Sequence, residues 1–106
     1  VGLVDGGAVD GYVWETLAKL NPDQTSKTRV AWKSQPFGFP PIVASRTMPP
    51  ATAEALRNAL TGMTQDTEGR QLLRQLNLDG FVTSSDQLFD PIEKMMRSLV
   101  SAGKVV

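Results

Sequence analysis

The residues with the clearest chemical potential lie where the first helical pattern begins, at Asp10-Gly11-Tyr12. The first amides of a helix have no partner within it and its N-terminal dipole end is positive, so this start could hold an anion. Asp10 is also a natural N-cap for the same helix. The sequence leaves both interpretations open.

Other kinds of chemistry lack the residues they need. The glycines around this helix start match neither G-x-G-x-x-G nor G-x-x-x-x-G-K-[ST], so they do not indicate a nucleotide loop. The nearby carboxylates Asp5, Asp10 and Glu15 do not have the spacing of a metal site. The chain has no His and no Cys, which removes the usual activated nucleophiles and zinc ligands. Carboxylate catalysis stays possible in principle, but the usual proton shuttle is missing, so we expect no catalytic residues, no metal and no cofactor.

Composition limits the partners further. Eleven basic and eleven acidic residues cancel across the 106 residues, and the basic ones are scattered, so we expect no nucleic-acid binding. No run approaches the roughly 20 apolar residues of a membrane span. The chain opens on Val1 without an initiator Met or a secretory signal, so we expect it to be part of a longer protein.

The elements that must position these residues follow from periodicity and from Pro and Gly signals. The pattern predicts an α/β domain piece in which short strands and one helix precede three C-terminal helices. A stretch with so few strands is a poor core by itself, so we expect it to pack on further structure. The expected strands are 1–9, 28–33 and 42–45, and the expected helices are 12–20, 50–63, 67–76 and 91–102. Residues 77–80 are expected to end the third of these helices, and the last has Asp90-Pro91 as its cap and first turn and Gly103 as its stop.

Buried faces can be assigned from the same periodicity. Leu72, Leu73 and Leu76 are expected to be buried in the second of the C-terminal helices. Ile92, Met95, Met96 and Leu99 are expected to form the inward stripe of the last helix.

One loop stands out between the expected strands: Phe37-Gly38-Phe39-Pro40-Pro41 places two aromatic residues on a segment stiffened by proline. It is either a rigid turn or the edge of a hinge or pocket. Both interpretations remain open from the sequence.

Several segments in the same order resemble the periplasmic phosphate- and phosphonate-binding proteins of ABC transporters. The resemblance rests on residues 4–15, 30–34, 40–44, 69–81 and 88–92, and it is the order of these segments that is specific. It implies the C-terminal part of a two-lobed type II periplasmic binding protein. Residues 1–29 would end the second lobe with a strand and a helix, residues 30–44 would form the hinge or crossover strands, and residues 45–106 would supply C-terminal helices of the first lobe.

The same resemblance implies a function and a location. The chain would be the solute-binding component for phosphate, phosphite or phosphonate, acting with an ABC permease in the full-length protein. It would lie in the periplasm, either free or lipid-anchored outside the cytoplasmic membrane. Most residues that hold the anion would lie upstream of this chain.

The resemblance also points to site residues. Asp10, Gly11, Tyr12 and Pro40 are the expected ligand-binding positions. Members that take aminoalkyl phosphonates resemble this chain but carry acidic residues at the positions of Tyr12 and Pro40. Because a buried ammonium without a carboxylate is costly, we expect a ligand without an amino group. Asp10 could accept a hydrogen bond from a protonated oxyanion.

Two other functions are compatible with these residues. The module could be the ligand-sensing input domain of a signalling protein, or a small interaction domain that uses Tyr12 and Trp14 or Phe37 and Phe39. We also expect the chain to associate with itself, since the apolar faces of residues 1–9 and 42–44 would be exposed.

Overall fold

The computed structural model describes residues 2–104, and the chain divides between Ser34 and Gln35 into two units. Every regular element of the described residues is helical. The elements are, in chain order, α1 (Gly11–Leu20), α2 (Pro22–Thr25), α3 (Pro50–Thr61), α4 (Thr67–Gln75) and α5 (Asp90–Ser101), with 3₁₀ turns at Gly62–Gln65 and Asp86–Phe89.

The first unit contains α1 and α2, joined without a loop. Helix α1 ends at Leu20, where the backbone N–H of Asn21 donates to the carbonyl of Leu17 at 2.7 Å. Pro22 then occupies the first turn of α2, where its missing N–H costs nothing. The predicted end of this helix at residue 20 is confirmed, and the four-residue α2 was not predicted.

The second unit has its core where α3, the first 3₁₀ turn and α4 meet. Leu73 on α4 is 3% exposed and is the one buried apolar side chain among the described residues. Gly69, also buried, lets α4 approach the turn: a Cβ at this position would lie 2.8 Å from the Cα of Met63 and 2.9 Å from its carbonyl carbon. Asp66 begins the helix, with its Oδ2 accepting from the Gly69 N–H at 2.6 Å.

The C-terminal ends of α4 and α5 have the same kind of cap. After α4, the N–H of Leu78 donates to the Leu73 carbonyl at 2.9 Å while Asn77 adopts φ 55°. After α5, the N–H of Lys104 donates to Leu99 at 3.0 Å while Gly103 adopts φ 65°. These are Schellman caps, which need a left-handed residue that Asn and Gly supply most readily. The predicted helix stops at these two residues are confirmed.

The predicted α/β fold is wrong. The described part of the chain is 53% helical and contains no strand, so the short strands expected at 1–9, 28–33 and 42–45 are not seen; Val1 lies outside the described residues. A strand is stabilised by a ladder with a neighbouring strand, which sequence alternation cannot supply. These segments instead run as irregular backbone with exposed side chains, for example Trp32 at 79% and Val43 at 80%.

The predicted burial is right at one position and wrong at others. Leu73 is confirmed as buried, but Leu72 and Leu76 are about half exposed. On α5, Met95 and Met96 are also exposed, whereas Ile92 and Leu99 are half-buried. Periodicity identified the apolar faces correctly, but few neighbouring side chains cover them.

The chain consequently leaves much apolar surface open. Its accessible surface is 9529 Å², whereas a self-contained folded protein of 11.5 kDa exposes about 5,800 Å². Leu3, Val4, Ile42 and Val43 are each at least 65% exposed, in the two faces from which self-association was predicted. The association itself stays a prediction. No helix among residues 2–104 combines the length and apolar character that a membrane span needs.

Candidate ligand-binding site

The start of α1 is built by a side-chain cap. The Oδ1 of Asp10 accepts from the backbone N–H of Val13 at 3.1 Å, and its carbonyl accepts from the N–H of Trp14 at 3.0 Å. The capping interpretation of Asp10 is therefore confirmed. Because the cap is exposed, the carboxylate also faces solvent at the helix terminus.

The side chain of Asp10 caps the amide of Val13, and the amide of Gly11 also lies in this first turn, where a backbone N–H has no acceptor within the helix. A Cβ built on Gly11 would meet no atom within 4 Å, so the α-carbon of Gly11 faces open space. The negative charge of Asp10 offsets the positive end of the helix dipole, which makes the terminus unfavourable for a doubly charged anion. An oxyanion whose O–H donates a hydrogen bond to the Asp10 carboxylate would not meet this repulsion in full.

The two aromatic residues of α1 are both half-buried, although they lie two positions apart. Tyr12 and Trp14 thus project from different sides of the helix, as their spacing predicts. Neither is part of a fully buried core.

The extended segment after α2 is tied to α1 by an ion pair. The Nζ of Lys33 lies 3.4 Å from the Oε1 of Glu15, and the two side chains are 71% and 58% exposed. Both side chains stay largely in solvent while they are in contact. At this exposure the pair contributes little stability.

Pro40, the fourth expected site residue, belongs to the second unit and is exposed. Asp10, Gly11 and Tyr12 are brought together by the first turn of α1. Pro40 lies in the proline-stiffened loop, directly after the segment that contacts the second 3₁₀ turn.

That loop forms one side of an open depression of about 430 Å³. Its lining residues are Pro36, Phe37, Gly38, Phe39, Gln87, Leu88 and Pro91. Gly38 permits the contact, because a Cβ there would come within 2.8 Å of Leu88 Cδ2 and 3.0 Å of Phe89 Cε1. The aromatic loop therefore lines an open depression, and its role as a hinge or pocket edge stays a prediction.

The lining of this depression does not suit an oxyanion. Gln87 is its only residue with a polar side chain, and no hydroxyl or cation faces it. The contribution of Gln87, Leu88 and Pro91 to this lining was not predicted, because a contact between distant segments leaves no local pattern in the sequence. Among residues 2–104, no group of three or more acidic side chains could hold a metal ion.

Comparison with known proteins agrees with the family resemblance that the order of the sequence segments indicated. A family model described as an ABC transporter, phosphonate, periplasmic substrate-binding protein matches residues 1–89. A search among curated proteins finds no match to the chain. The family model covers α1 to α4 and the second 3₁₀ turn, and it stops just before α5. The match covers most of the chain, and the chain therefore belongs to the family of periplasmic phosphonate-binding proteins of ABC transporters.

Proposed function

We propose that this chain forms the C-terminal part of a binding protein for phosphate, phosphite or an alkyl phosphonate without an amino group. Residues 1–29 would end the second lobe, residues 30–44 would cross between the lobes, and residues 45–106 would complete the first. The boundary between the two compact units, at Ser34 and Gln35, falls inside the proposed crossover. The large exposed surface also supports a larger host protein.

The observation that carries the choice of ligand is the start of α1. Asp10 caps the Val13 amide at 3.1 Å, and the neighbouring Gly11 amide is in the first turn, where it has no acceptor within the helix. A carboxylate beside a donor amide favours an oxyanion with both an unprotonated oxygen and an O–H. A monoprotonated phosphate or phosphonate has this combination.

Tyr12 and Pro40 support the proposal that the ligand has no amino group. Each stands at a position where aminoalkyl-phosphonate binders of this family resemble the chain but carry an acid. Tyr12 is half-buried and Pro40 has no polar side-chain atom. A ligand ammonium buried at either position would lose its hydration without gaining a carboxylate.

The family works with ABC transporter permeases and acts outside the cytoplasm. Membership of this family assigns a binding role and not a catalytic one. We propose delivery of the bound oxyanion to such a permease from the periplasm, by a protein that is either free or lipid-anchored.

The test is a calorimetric titration of the full-length protein and its Tyr12 variants with phosphate, methylphosphonate and 2-aminoethylphosphonate. We expect tight binding of the first two and weak binding of the third. Tyr12→Glu should weaken phosphate binding by charge repulsion and shift the preference toward 2-aminoethylphosphonate. Tyr12→Phe should lose about fivefold in affinity, on the order of 1 kcal/mol, if the hydroxyl contacts the ligand.

Tyr12→Gln is the matched control, because it has the size of Glu without its charge. A similar preference in the Gln and Glu variants would mean that the charge at this position does not reach the ligand. Tight binding of 2-aminoethylphosphonate by the unaltered protein would refute the proposed ligand class directly.

A further inference from the structure

The ion pair between Glu15 and Lys33 lies beside the expected ligand-binding residues of α1. Glu15 follows Tyr12 by three positions and Gly11 by four, and residues with this spacing are neighbours on a helix surface, about 5–6 Å apart between Cβ positions. Helical side chains lean toward the N-terminus, so Glu15 extends toward the turn that contains Gly11 and Tyr12. Glu15 therefore adds a second carboxylate, besides Asp10, to this end of α1.

This second carboxylate bears on the choice of ligand. The proposed exclusion of an amino group depends on the lack of an acid at the position of Tyr12. An unbalanced carboxylate on Glu15, one turn away on the same side of the helix, would attract a ligand ammonium in place of that acid. Exclusion of an amino group therefore requires that the charge of Glu15 is balanced.

Lys33 supplies the balancing charge. Its Nζ lies 3.4 Å from the Oε1 of Glu15, although the two residues are eighteen positions apart along the chain. Both belong to the first compact unit, so the fold of this unit brings the ammonium to α1. The pair is too exposed to contribute much stability, so its main effect is on the local charge. It also leaves the space at the α-carbon of Gly11 open to a ligand.

We propose that Lys33 is a specificity-determining residue of the candidate site, because its ion pair with Glu15 prevents that carboxylate from attracting a ligand ammonium. This inference rests on the proposed function and explains how the ligand class is enforced. It also gives the two members of the pair opposite effects. Removal of Lys33 leaves a negative charge beside the site, and removal of Glu15 leaves a positive one.

The test is a calorimetric titration of the full-length protein with methylphosphonate and 2-aminoethylphosphonate at low ionic strength, where exposed charges are not screened. Lys33→Gln should weaken methylphosphonate binding about threefold and narrow its preference over 2-aminoethylphosphonate by a similar factor. Glu15→Gln should strengthen methylphosphonate binding and widen the preference. Both variants break the same ion pair, so a purely structural role would change the affinity in the same direction in both.

Three further variants serve as controls. Lys33→Arg keeps the positive charge and should keep the preference of the unaltered protein. Lys27→Gln removes the same charge from an exposed position of the same unit and should leave the preference unchanged. Lys19 lies four positions after Glu15, so the Lys33→Gln comparison is repeated in a Lys19→Gln background, where Lys19 cannot take over the pairing.

The outcomes separate this inference from the proposed function. Shifts of the same sign in Lys33→Gln and Glu15→Gln, or an equal shift in Lys27→Gln, would overturn the role of Lys33. Preferential binding of methylphosphonate by the unaltered protein would leave the proposed function intact in that case. Tight binding of 2-aminoethylphosphonate by the unaltered protein would refute the proposed ligand class, and the role of Lys33 with it.

Discussion

Helices α4 and α5 carry the same kind of apolar stripe but lie in different surroundings. Helix α4 packs on the first 3₁₀ turn and buries Leu73 to 3% exposure. Helix α5 leaves Met95 and Met96 nearly half exposed and touches neither α3 nor α4. An apolar stripe thus shows which side of a helix requires a neighbour. Whether another element packs closely against that side depends on other residues.

The residue that makes the difference is Gly69. Its missing side chain brings the backbone of α4 against Met63, and the Asp66 cap fixes the helix start one turn away. Helix α5 has Pro91 in its first turn and no glycine within it, and its start lacks a side-chain cap. The following predictions test whether packing in this part of the chain depends on α4 alone.

The largest effect is expected for Leu73→Ala. Removing the one buried apolar side chain of the described residues should lower the free energy of unfolding by about 3 kcal/mol. Leu72→Ala, next to it but 51% exposed, and Met96→Ala on α5 should each cost less than about 1 kcal/mol. Urea unfolding followed by circular dichroism gives all three values. Equal losses at positions 72 and 73 would show that α4 is not packed as described.

Gly69→Ala should have the next largest effect. The added methyl group would clash with the Met63 backbone, which cannot rotate away, so we expect a loss of about 2 kcal/mol. Gly62→Ala is the control, because a Cβ there meets no atom within 4 Å and φ is −80°. That variant should raise the free energy of unfolding slightly, by about 0.4–1 kcal/mol. A neutral Gly69→Ala would mean that α4 and the turn are further apart.

The smallest effects concern the helix starts. Asp66→Ala should cost about 1 kcal/mol, because the amide of Gly69 loses a partly buried acceptor at 2.6 Å. Asp90→Ala should cost only a few tenths, since Asp90 is the first residue of α5 and its side chain caps no amide. Thermal unfolding at several salt concentrations separates the two, because the contribution of Asp90 should be screened while most of the Asp66 contribution persists.

The helix ends could be predicted from sequence because their causes are local. Asp10, Pro50, Asn77 and Gly103 each act on backbone groups within four residues, so their types alone place the boundaries. At α5 the local rule was less accurate: Asp90-Pro91 was read as a cap followed by a first turn, and the helix in fact begins at Asp90.

The strands and the pocket could not be predicted for the opposite reason. Alternation at Thr28–Lys33 describes what a strand would present to a sheet, and the described residues provide no sheet. The depression requires Gly38 to meet Leu88 and Phe89, which are fifty residues away along the chain. At the candidate site, the Asp10 cap could be predicted because it is local. The open space at the α-carbon of Gly11 could not, because it depends on which distant segments lie nearby.

The irregular backbone between α2 and α3 makes the chain susceptible to proteolysis in this segment. Extended, exposed peptide fits a protease cleft without prior unfolding, and the residues around Lys33 have this form. Trypsin cleaves after lysine, and the Lys33–Ser34 bond lies one residue before the boundary between the two units. A single cut there would release residues 34–106 with the α3–α4 packing intact, so proteolytic lifetime depends on this segment rather than on the stability of the helices.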